Sequence, residues 1–235
     1  MPKGPWVLAQ RWHDLVFAHW RCDPDAIRPL VPAPLELDIR QGECWIGVVP
    51  FRMRGVRLRA MPPIPTVHDF LELNVRTYVV RDGVPGVWFF SLDAASPLAV
   101  TTARALLSLP YFHARMSMTR TSARALRYES TRTHAGAPHA RFLATYRPVG
   151  LPWPSSRGSL AWWLTERYCL YAVDRAGRTW RTDIGHAPWT LQDAEMTIEH
   201  NSMIDAAGVR VREGAPLLHY SGFQDVRTWR PVRVG

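Results

Sequence analysis

The stretch Gly86–Met116, GVWFFSLDAASPLAVTTARALLSLPYFHARM, decides how the rest of the chain is organised. Residues 87–93 are apolar at both alternating positions, which predicts a strand covered on both faces. Ser96-Pro97 then offers a capping hydroxyl and a proline suited to the first helical position. Pro110 ends this helix, because it disfavours the α conformation of the residue before it. The helix therefore delivers the aromatic and basic segment 111–115 to a fixed position.

The predicted helix has one apolar face and one polar face. The apolar stripe consists of Leu98, Ala99, Ala103, Leu106 and Leu107, and Thr101, Arg104 and Ser108 share the opposite face. This pattern predicts that the stripe packs against the core.

The clearest strand pattern is FLELNVRTYVV at residues 70–80. Leucine, valine and threonine occupy one face, and the other carries Glu72, Asn74, Arg76 and Tyr78. The first face is core, whereas the second faces either solvent or a polar cavity. The turn at 81–83 makes this strand antiparallel to the one that opens Gly86–Met116.

Strand patterns recur along the whole chain. They cover residues 14–20, 44–49, 52–60, 116–121, 123–130, 141–147, 168–174, 179–184 and 217–226, and 191–200 is a strand or a short helix. Short helices are predicted at 23–30 and 159–167. Many strands with few short helices predict one α+β domain over residues 1–235, built mainly of antiparallel strands.

Composition argues for a cytoplasmic protein. No segment approaches the roughly 20 consecutive apolar residues of a membrane span, and the N-terminus has no apolar run of the signal-peptide kind. Cys22, Cys44 and Cys169 are widely spaced and form no CxxC pair, which is typical of reduced thiols. We therefore expect no association with a membrane.

The net charge of +9 is carried almost entirely by arginine, since Lys3 is the only lysine. Arginines cluster at 52–59 and 115–147, but they are also spread along the chain. Either coding bias or a nucleic-acid surface would give this composition. Because no nucleic-acid-binding signature accompanies the arginines, we favour coding bias and expect no specific nucleic-acid partner.

Motifs for cofactors and metals are missing from the sequence. There is no GxGxxG, GxxxxGK[ST], HExxH or GxSxG pattern. His134 and His139 lie in a loop with no neighbouring cysteine or acid in sequence, which does not favour a metal site. We expect neither a cofactor nor a metal.

Several segments resemble the acetoacetate decarboxylase-like superfamily. Residues 14–38, DLVFAHWRCDPDAIRPLVPAPLELD, are similar to its N-terminal strand, turn and short helix. The helix from Ala103 to Pro110 resembles its G-R-E-L…Y-P-K-K segment, Phe70-Leu71-Glu72 its aromatic-x-Glu, and residues 189–192 its late tryptophan segment.

A closer resemblance, over nearly the whole chain, is to the YqjF-like family of unknown function within that superfamily. It rests on HWRCDP (19–24), WIGVVPF (45–51), ELNVRTYV (72–79), GVWFFSLDA (86–94), ARALLSLPYFHARM (103–116), TERYCLY (165–171) and HAPW (186–189). The resemblance implies a cone-shaped antiparallel β-barrel with a few short helices and a closed interior cavity.

The chemistry of the decarboxylases does not carry over. Those enzymes have adjacent lysines after the helix-ending proline, one to form a Schiff base and one to lower its pKa. Here Tyr111 and Phe112 occupy these positions. Arginine cannot replace the lysines, because it stays protonated and is not a nucleophile. The chain is therefore not expected to be an acetoacetate decarboxylase.

Candidate site residues follow from the resemblance and the residue types. Glu72 matches a substrate-side acid of the decarboxylases, but it could instead pair with Arg76 or with another arginine. Arg76 could bind a ligand carboxylate or form a plain ion pair. Tyr111 lies where the reactive amine would be, as donor, acceptor or cavity filler. The candidate catalytic residues are Glu72, Tyr111 and His113. The candidate ligand-binding residues are Arg76, Arg104, Arg115 and Phe112. Arg104 could instead lie on a solvent-exposed face of the helix, and Phe112 would form part of the cavity wall.

Two classes of function fit these observations. One is an enzyme that acts on a small acidic or carbonyl-containing metabolite by acid–base chemistry without a Schiff base. The other is a ligand-binding or sensing protein that kept the cavity without turnover. A catalytic Glu72 should titrate near neutrality, whereas an ion-paired Glu72 should be fully ionised. The sequence leaves open the ligand, the pathway, the presence of turnover and the oligomeric state.

Overall fold

The computed structural model describes residues 4–64 and 67–235. The strands in this part of the chain are β1 (Leu8–Cys22), β2 (Glu36–Leu37), β3 (Cys44–Leu58), β4 (Asp69–Arg81), β5 (Val84–Ala94), β6 (Tyr111–Arg120), β7 (Leu126–Arg132), β8 (Arg141–Pro154), β9 (Cys169–Val173), β10 (Thr179–Gly185), β11 (Thr190–Asn201), β12 (Leu217–Thr228) and β13 (Val232–Arg233). The helices are α1 (Pro24–Ile27), α2 (Pro97–Leu107), α3 (Leu160–Thr165) and α4 (Met203–Ala206), and a 3-10 turn, Arg28–Leu30, follows α1.

The predicted helix starts are confirmed by their caps. Ser96 accepts a hydrogen bond from the amide of Ala99, with Pro97 at the first helical position. Ser159 caps α3 in the same way through the amide of Trp162. α2 ends at Ser108, which adopts the left-handed conformation with φ of 53°. The segment at 191–200, open from the sequence, lies in strand β11.

The strands close into rings because β5 pairs with three neighbours. It runs antiparallel to β4 along its length and parallel to β6 and β9 at its two ends. One ring consists of β4, β5, β6, β7, β8, β11, β12, β1 and β3. β12 also pairs with β10, so a second ring consists of β4, β5, β9, β10, β12, β1 and β3. All other pairings between the described strands are antiparallel, as predicted.

Two layers of core lie on the two faces of β4. Leu73 and Val75 pack against Tyr128 of β7 and Phe142 of β8, inside the first ring. The opposite face of β4 meets other apolar clusters from β1, β3, β5, β9 and α3, among them Phe17, Val49, Phe51, Trp45, Phe89, Leu92 and Trp163. The side chains predicted for the second face of β4 therefore lie in an interior layer.

The predicted apolar stripe of α2 is wrong in part. Leu98 and Leu106 are 51% and 74% exposed, and Val100, outside the predicted stripe, is the buried residue of the helix. α2 connects the parallel strands β5 and β6 and contacts the sheet over a narrow face. The apolar residues of α2 therefore predict a larger surface packed against the core than the helix has.

The described helices are short, and the three cysteines form no disulfide. Within residues 4–64 and 67–235, no helix has the length and hydropathy needed to cross a bilayer. Cys22, Cys44 and Cys169 are buried free thiols, as predicted.

Candidate functional site

Four polar side chains on one face of β4 are buried. Glu72, Asn74 and Arg76 are 3%, 5% and 8% exposed, and Tyr78 is 1% exposed. Alternation along the strand places them together, and the neighbouring strands bury them. Glu72 is opposite Phe51 of β3 and Ala94 of β5, while Asn74 is opposite Val49 and Leu92.

Glu72 and Tyr111 are joined by a hydrogen bond. The Tyr111 hydroxyl donates to Oε2 of Glu72 over 2.9 Å. The connection arises because Tyr111, the first residue of β6, pairs with Leu92, which is opposite Asn74. The backbone of Glu72 is also fixed, since its carbonyl accepts from the hydroxyl of Tyr128 over 2.8 Å.

Burial controls the titration of this pair. Desolvation raises the pKa of Glu72 to about 8, and the hydrogen bond from Tyr111 opposes this rise. Burial and the adjacent Glu72 carboxyl raise the pKa of Tyr111 well above its ordinary value. A pKa of about 8 brings the titration of Glu72 close to neutral pH.

Arg76 does not pair with Glu72. Its Nη2 donates to the carbonyl of Leu164 over 3.5 Å, and its guanidinium lies 5.2 Å from the ring of Phe17 and 5.8 Å from that of Tyr78. None of the ion pairs formed by the described residues includes Arg76. The structure therefore shows no ion pair between Glu72 and Arg76.

The other predicted site residues occupy different positions. His113 pairs with Ala94, so one small residue separates it from Glu72 along the same row, and its ring stacks on His134 at 5.0 Å. Arg104 is exposed, and its Nη1 donates to the carbonyl of Tyr111 over 2.6 Å. Arg104 therefore holds the backbone of the residue that contacts Glu72.

Phe112 and Arg115 lie away from the Glu72 carboxyl. Phe112 is on the opposite face of β6 from Tyr111, and the Arg132 guanidinium covers its ring at 4.2 Å. Arg115 is exposed. In the part of the chain that the structure describes, neither belongs to the group around Glu72.

Arg132 forms a buried ion pair with Asp93. Its Nη2 is 2.7 Å from Oδ1 of Asp93, and the two side chains are 3% and 0% exposed. Desolvation raises the pKa of Asp93, and the hydrogen bond and charge of Arg132 act in the opposite direction. This pair stands beside Phe112 and anchors β5 to β7.

Sequence reasoning missed a second polar group next to Arg76. Nε2 of His19, a fully buried residue, is 2.6 Å from the hydroxyl of Tyr78. The Arg167 guanidinium lies 4.8 Å from the Tyr78 ring and binds the Asp38 carboxylate. His19 belongs to the HWRCDP segment and Arg167 to the TERYCLY segment. Both segments carry the family resemblance, and this was the sequence feature that could have pointed to the two residues.

A further acid is held by three donors. Glu166 accepts from the Trp189 amide over 2.8 Å and from the hydroxyls of Ser155 and Tyr168. His186 stacks on Tyr168 with ring centroids 4.6 Å apart. The TERYCLY and HAPW segments therefore meet in one cluster. Across residues 4–64 and 67–235, no group of three or more His, Cys, Asp or Glu side chains is placed to hold a metal ion.

Solved structures share this architecture. The acetoacetate decarboxylase from Legionella pneumophila subsp. pneumophila str. Philadelphia 1 superposes with a TM-score of 0.68 at 12% identity, covering 100% of this chain and 92% of that chain. The enduracididine biosynthesis enzyme MppR complexed with pyruvate superposes with a TM-score of 0.65 at 12% identity, with the same coverage of 100% and 92%. At such identities the likeness shows the fold alone, and it confirms the predicted acetoacetate decarboxylase-like class.

Sequence comparison shows the family. The uncharacterized protein YqjF of Bacillus subtilis (strain 168) is 45% identical over 233 residues, which cover 99% of this chain and 94% of YqjF. The DUF2071 family, described as an uncharacterized conserved protein, matches residues 9–225. The resemblance predicted from the sequence is confirmed, and the chain therefore belongs to the YqjF-like DUF2071 family.

Proposed function

We propose that this protein binds a small acidic or carbonyl-containing metabolite and acts on it by acid–base chemistry, without a Schiff base. Glu72 is the proton-transfer group, and Tyr111 is its hydrogen-bonding partner. His113, in the same row, is a second candidate for proton transfer, and Arg76 binds the acidic group of the metabolite.

The observation that carries this proposal is the Glu72–Tyr111 pair. An exposed or ion-paired carboxyl would be ionised at neutral pH, whereas the pKa of Glu72 is raised to about 8 by burial. A group poised near the working pH can both donate and accept a proton. Perturbed carboxyls of this kind are concentrated at functional sites.

Schiff-base chemistry receives no support from the residues. Lys3 is the only lysine, and it lies outside the described residues. Tyr111 occupies the position that the resemblance gives to the reactive amine, and its hydroxyl serves Glu72 instead. Proton transfer at a carbonyl compound needs no such amine.

Binding without turnover is the second candidate. It is favoured by the fact that the Glu72 carboxyl already has a partner in Tyr111, so the pair also satisfies a structural need. Both candidates require a ligand in the interior, and they differ only in proton transfer.

Deuterium exchange separates the two. Pyruvate and acetoacetate are incubated with the protein in D₂O, and loss of the protons next to the carbonyl is followed by NMR. An acid–base enzyme should accelerate exchange, and Glu72→Gln should abolish the acceleration. Glu195→Gln, which changes an exposed carboxylate, is the matched control and should behave as wild type. Binding of these compounds with exchange at the buffer rate would favour the second candidate.

A further inference from the structure

His19 and Arg76 approach each other across a glycine. In the sheet, His19 of β1 is opposite Gly47 of β3, and Gly47 is opposite Arg76 of β4. A Cβ at position 47 would lie 3.1 Å from Cδ2 of His19 and 3.6 Å from Cγ of Arg76. The missing side chain therefore lets the imidazole and the guanidinium stem occupy the space above the middle strand.

This group contains polar atoms without partners. Among the described residues, nothing hydrogen-bonds to Nδ1 of His19 or Nε of Arg76, although both atoms are buried. Buried polar atoms are normally satisfied, so two unpartnered nitrogens on neighbouring side chains indicate a missing acceptor. Both side chains are more than nine-tenths buried.

The group also contains one uncompensated positive charge. Arg167 is neutralised by Asp38, but Arg76 has no carboxylate partner in the described part of the chain. Burial, together with Arg76, His219 and Arg167, lowers the pKa of His19 and keeps its ring neutral. A buried charge without a partner is costly, so a monoanion at Arg76 would remove a large penalty.

We propose that Arg76 and His19 form a subsite for the carboxylate group of a monoanionic ligand. Arg76 supplies the charge and a planar donor fork suited to a carboxylate. His19 donates through Nδ1 when Nε2 accepts the proton of the Tyr78 hydroxyl. A phosphate dianion fits less well, because the subsite offers one net positive charge.

A surface cleft of about 410 Å³ lies next to this subsite. His19 is among its lining residues, beside Trp45, Leu160 and Leu217, and the segment 212–216 forms another side. His19 is fully buried and Arg76 does not line the cleft, so a ligand that enters here must displace part of the cleft wall to reach the guanidinium.

The inference rests on the proposed function in that a small molecule binds in the interior with its acidic group at Arg76, and it does not depend on proton transfer at Glu72. Acetate and pyruvate are the probes, and the neutral acetamide and acetone are their controls. Binding is measured by calorimetry and by the imidazole ¹⁵N signals of His19 in the wild-type protein. We expect the two anions, and not the neutral compounds, to bind and to shift the His19 signals.

Substitutions of single arginines test which side chain supplies the positive charge to the bound anion. Arg76→Met should weaken anion binding at least about tenfold, the loss expected for a charge-assisted hydrogen bond. Arg115→Met, at an exposed arginine, should bind as wild type.

The outcomes distinguish this inference from the proposed function. Anion binding that depends on Arg76, without deuterium exchange, would support the subsite and refute the acid–base chemistry. If Arg76→Met binds the anions as wild type, or if saturating acetate and pyruvate leave the His19 signals unmoved, the subsite is refuted. The wild-type NMR measurement decides the matter even if Arg76→Met fails to fold.

Discussion

The hydroxyl of Tyr111 donates to Oε2 of Glu72 across 2.9 Å, and the two residues come from strands that are not sequence neighbours. The bond exists because α2 carries the chain from the end of β5 to the start of β6 alongside it. Tyr111 thereby contributes a donor where the decarboxylase resemblance predicts an amine. On the proposed function, Glu72 therefore acts through its carboxyl, and position 111 supplies no nucleophile.

Titration of Glu72 should appear in the pH dependence of stability. Its folded-state pKa of about 8 is above the ordinary 4.5, so between these values the folded chain holds a proton that the unfolded chain has lost. The free energy of unfolding should therefore fall as pH rises through this window, by at most about 1.4 kcal/mol per pH unit for one proton. Urea unfolding of wild type and Glu72→Gln measures this.

The informative quantity is the difference between these two proteins. Histidines whose pKa is lowered by burial, such as His19 and His219, titrate in both and cancel. The stability of wild type relative to Glu72→Gln should decrease from about pH 5 to pH 8 and then level off. A difference independent of pH would show that Glu72 is already ionised.

Tyr111→Phe should raise the pKa of Glu72 above about 8, because the Tyr111 hydrogen bond lowers it. The lost bond should cost about 1 kcal/mol of unfolding free energy. Infrared detection of the protonated carboxyl during a pH titration gives the pKa. Tyr168→Phe, which removes a hydroxyl bound to Glu166, is the control and should leave Glu72 unchanged. A lower pKa of Glu72 in Tyr111→Phe would contradict this account.

Much of the strand layout could be predicted from local pattern. The alternation from 70 to 80 gives both the strand and the shared face of Glu72 and Arg76, because a strand has a fixed period of two. Ser96-Pro97 likewise fixes the start of α2, because capping is local. These features depend on residues within a few positions of each other.

Features set by strand pairing could not be predicted in this way. His19 in an alternating strand gives no sign that it meets Tyr78, which is 59 residues away. The pairing of β5 with both β4 and β6 closes the first ring, and it depends on long-range register rather than on the residues of β5. Periodicity also could not show that Leu106 stays exposed, because an apolar stripe does not reveal how much surface the sheet offers to it.

The Asp93–Arg132 pair should be essential for stability. Asp93→Asn leaves the buried Arg132 charge without its counterion, which should cost about 3–5 kcal/mol. Glu195→Gln is the matched control, because Arg147 and Glu195 are 2.6 Å apart but 55% and 60% exposed, and it should cost about 0–1 kcal/mol. Chemical denaturation of both variants gives the two values, and equal losses would show that burial does not set the strength of these pairs.

DNA binding should be weak and non-specific. Several surface arginines already pair with carboxylates, including Arg127 with Glu199 and Arg52 with Asp69. Affinity for duplex or single-stranded DNA should fall steeply with salt, as counterion release requires. Fluorescence anisotropy over a salt series tests this, and a tight, sequence-dependent complex at physiological salt would refute it.

The protein should form no Schiff base with a keto acid. After incubation with acetoacetate or pyruvate and borohydride, peptides that cover residues 4–235 should keep their mass. Carbon dioxide release should equal that of the buffer blank. An adduct in this part of the chain, or decarboxylation at enzymatic rates, would show that Tyr111 does not mark the reactive position.

Restoring a lysine at Tyr111 should not restore the decarboxylase chemistry. The new amine would replace a hydroxyl that lies 2.9 Å from the Glu72 carboxyl, so it would form an ion pair there and keep its proton. The second lysine of the decarboxylases would fall at Phe112, on the opposite face of β6, against Arg132. We therefore expect Tyr111→Lys to give no borohydride-trapped adduct, and Tyr111→Lys combined with Glu72→Gln to give more. An adduct in the single variant equal to that in the double variant would contradict this, because it would mean that Glu72 does not hold the amine protonated.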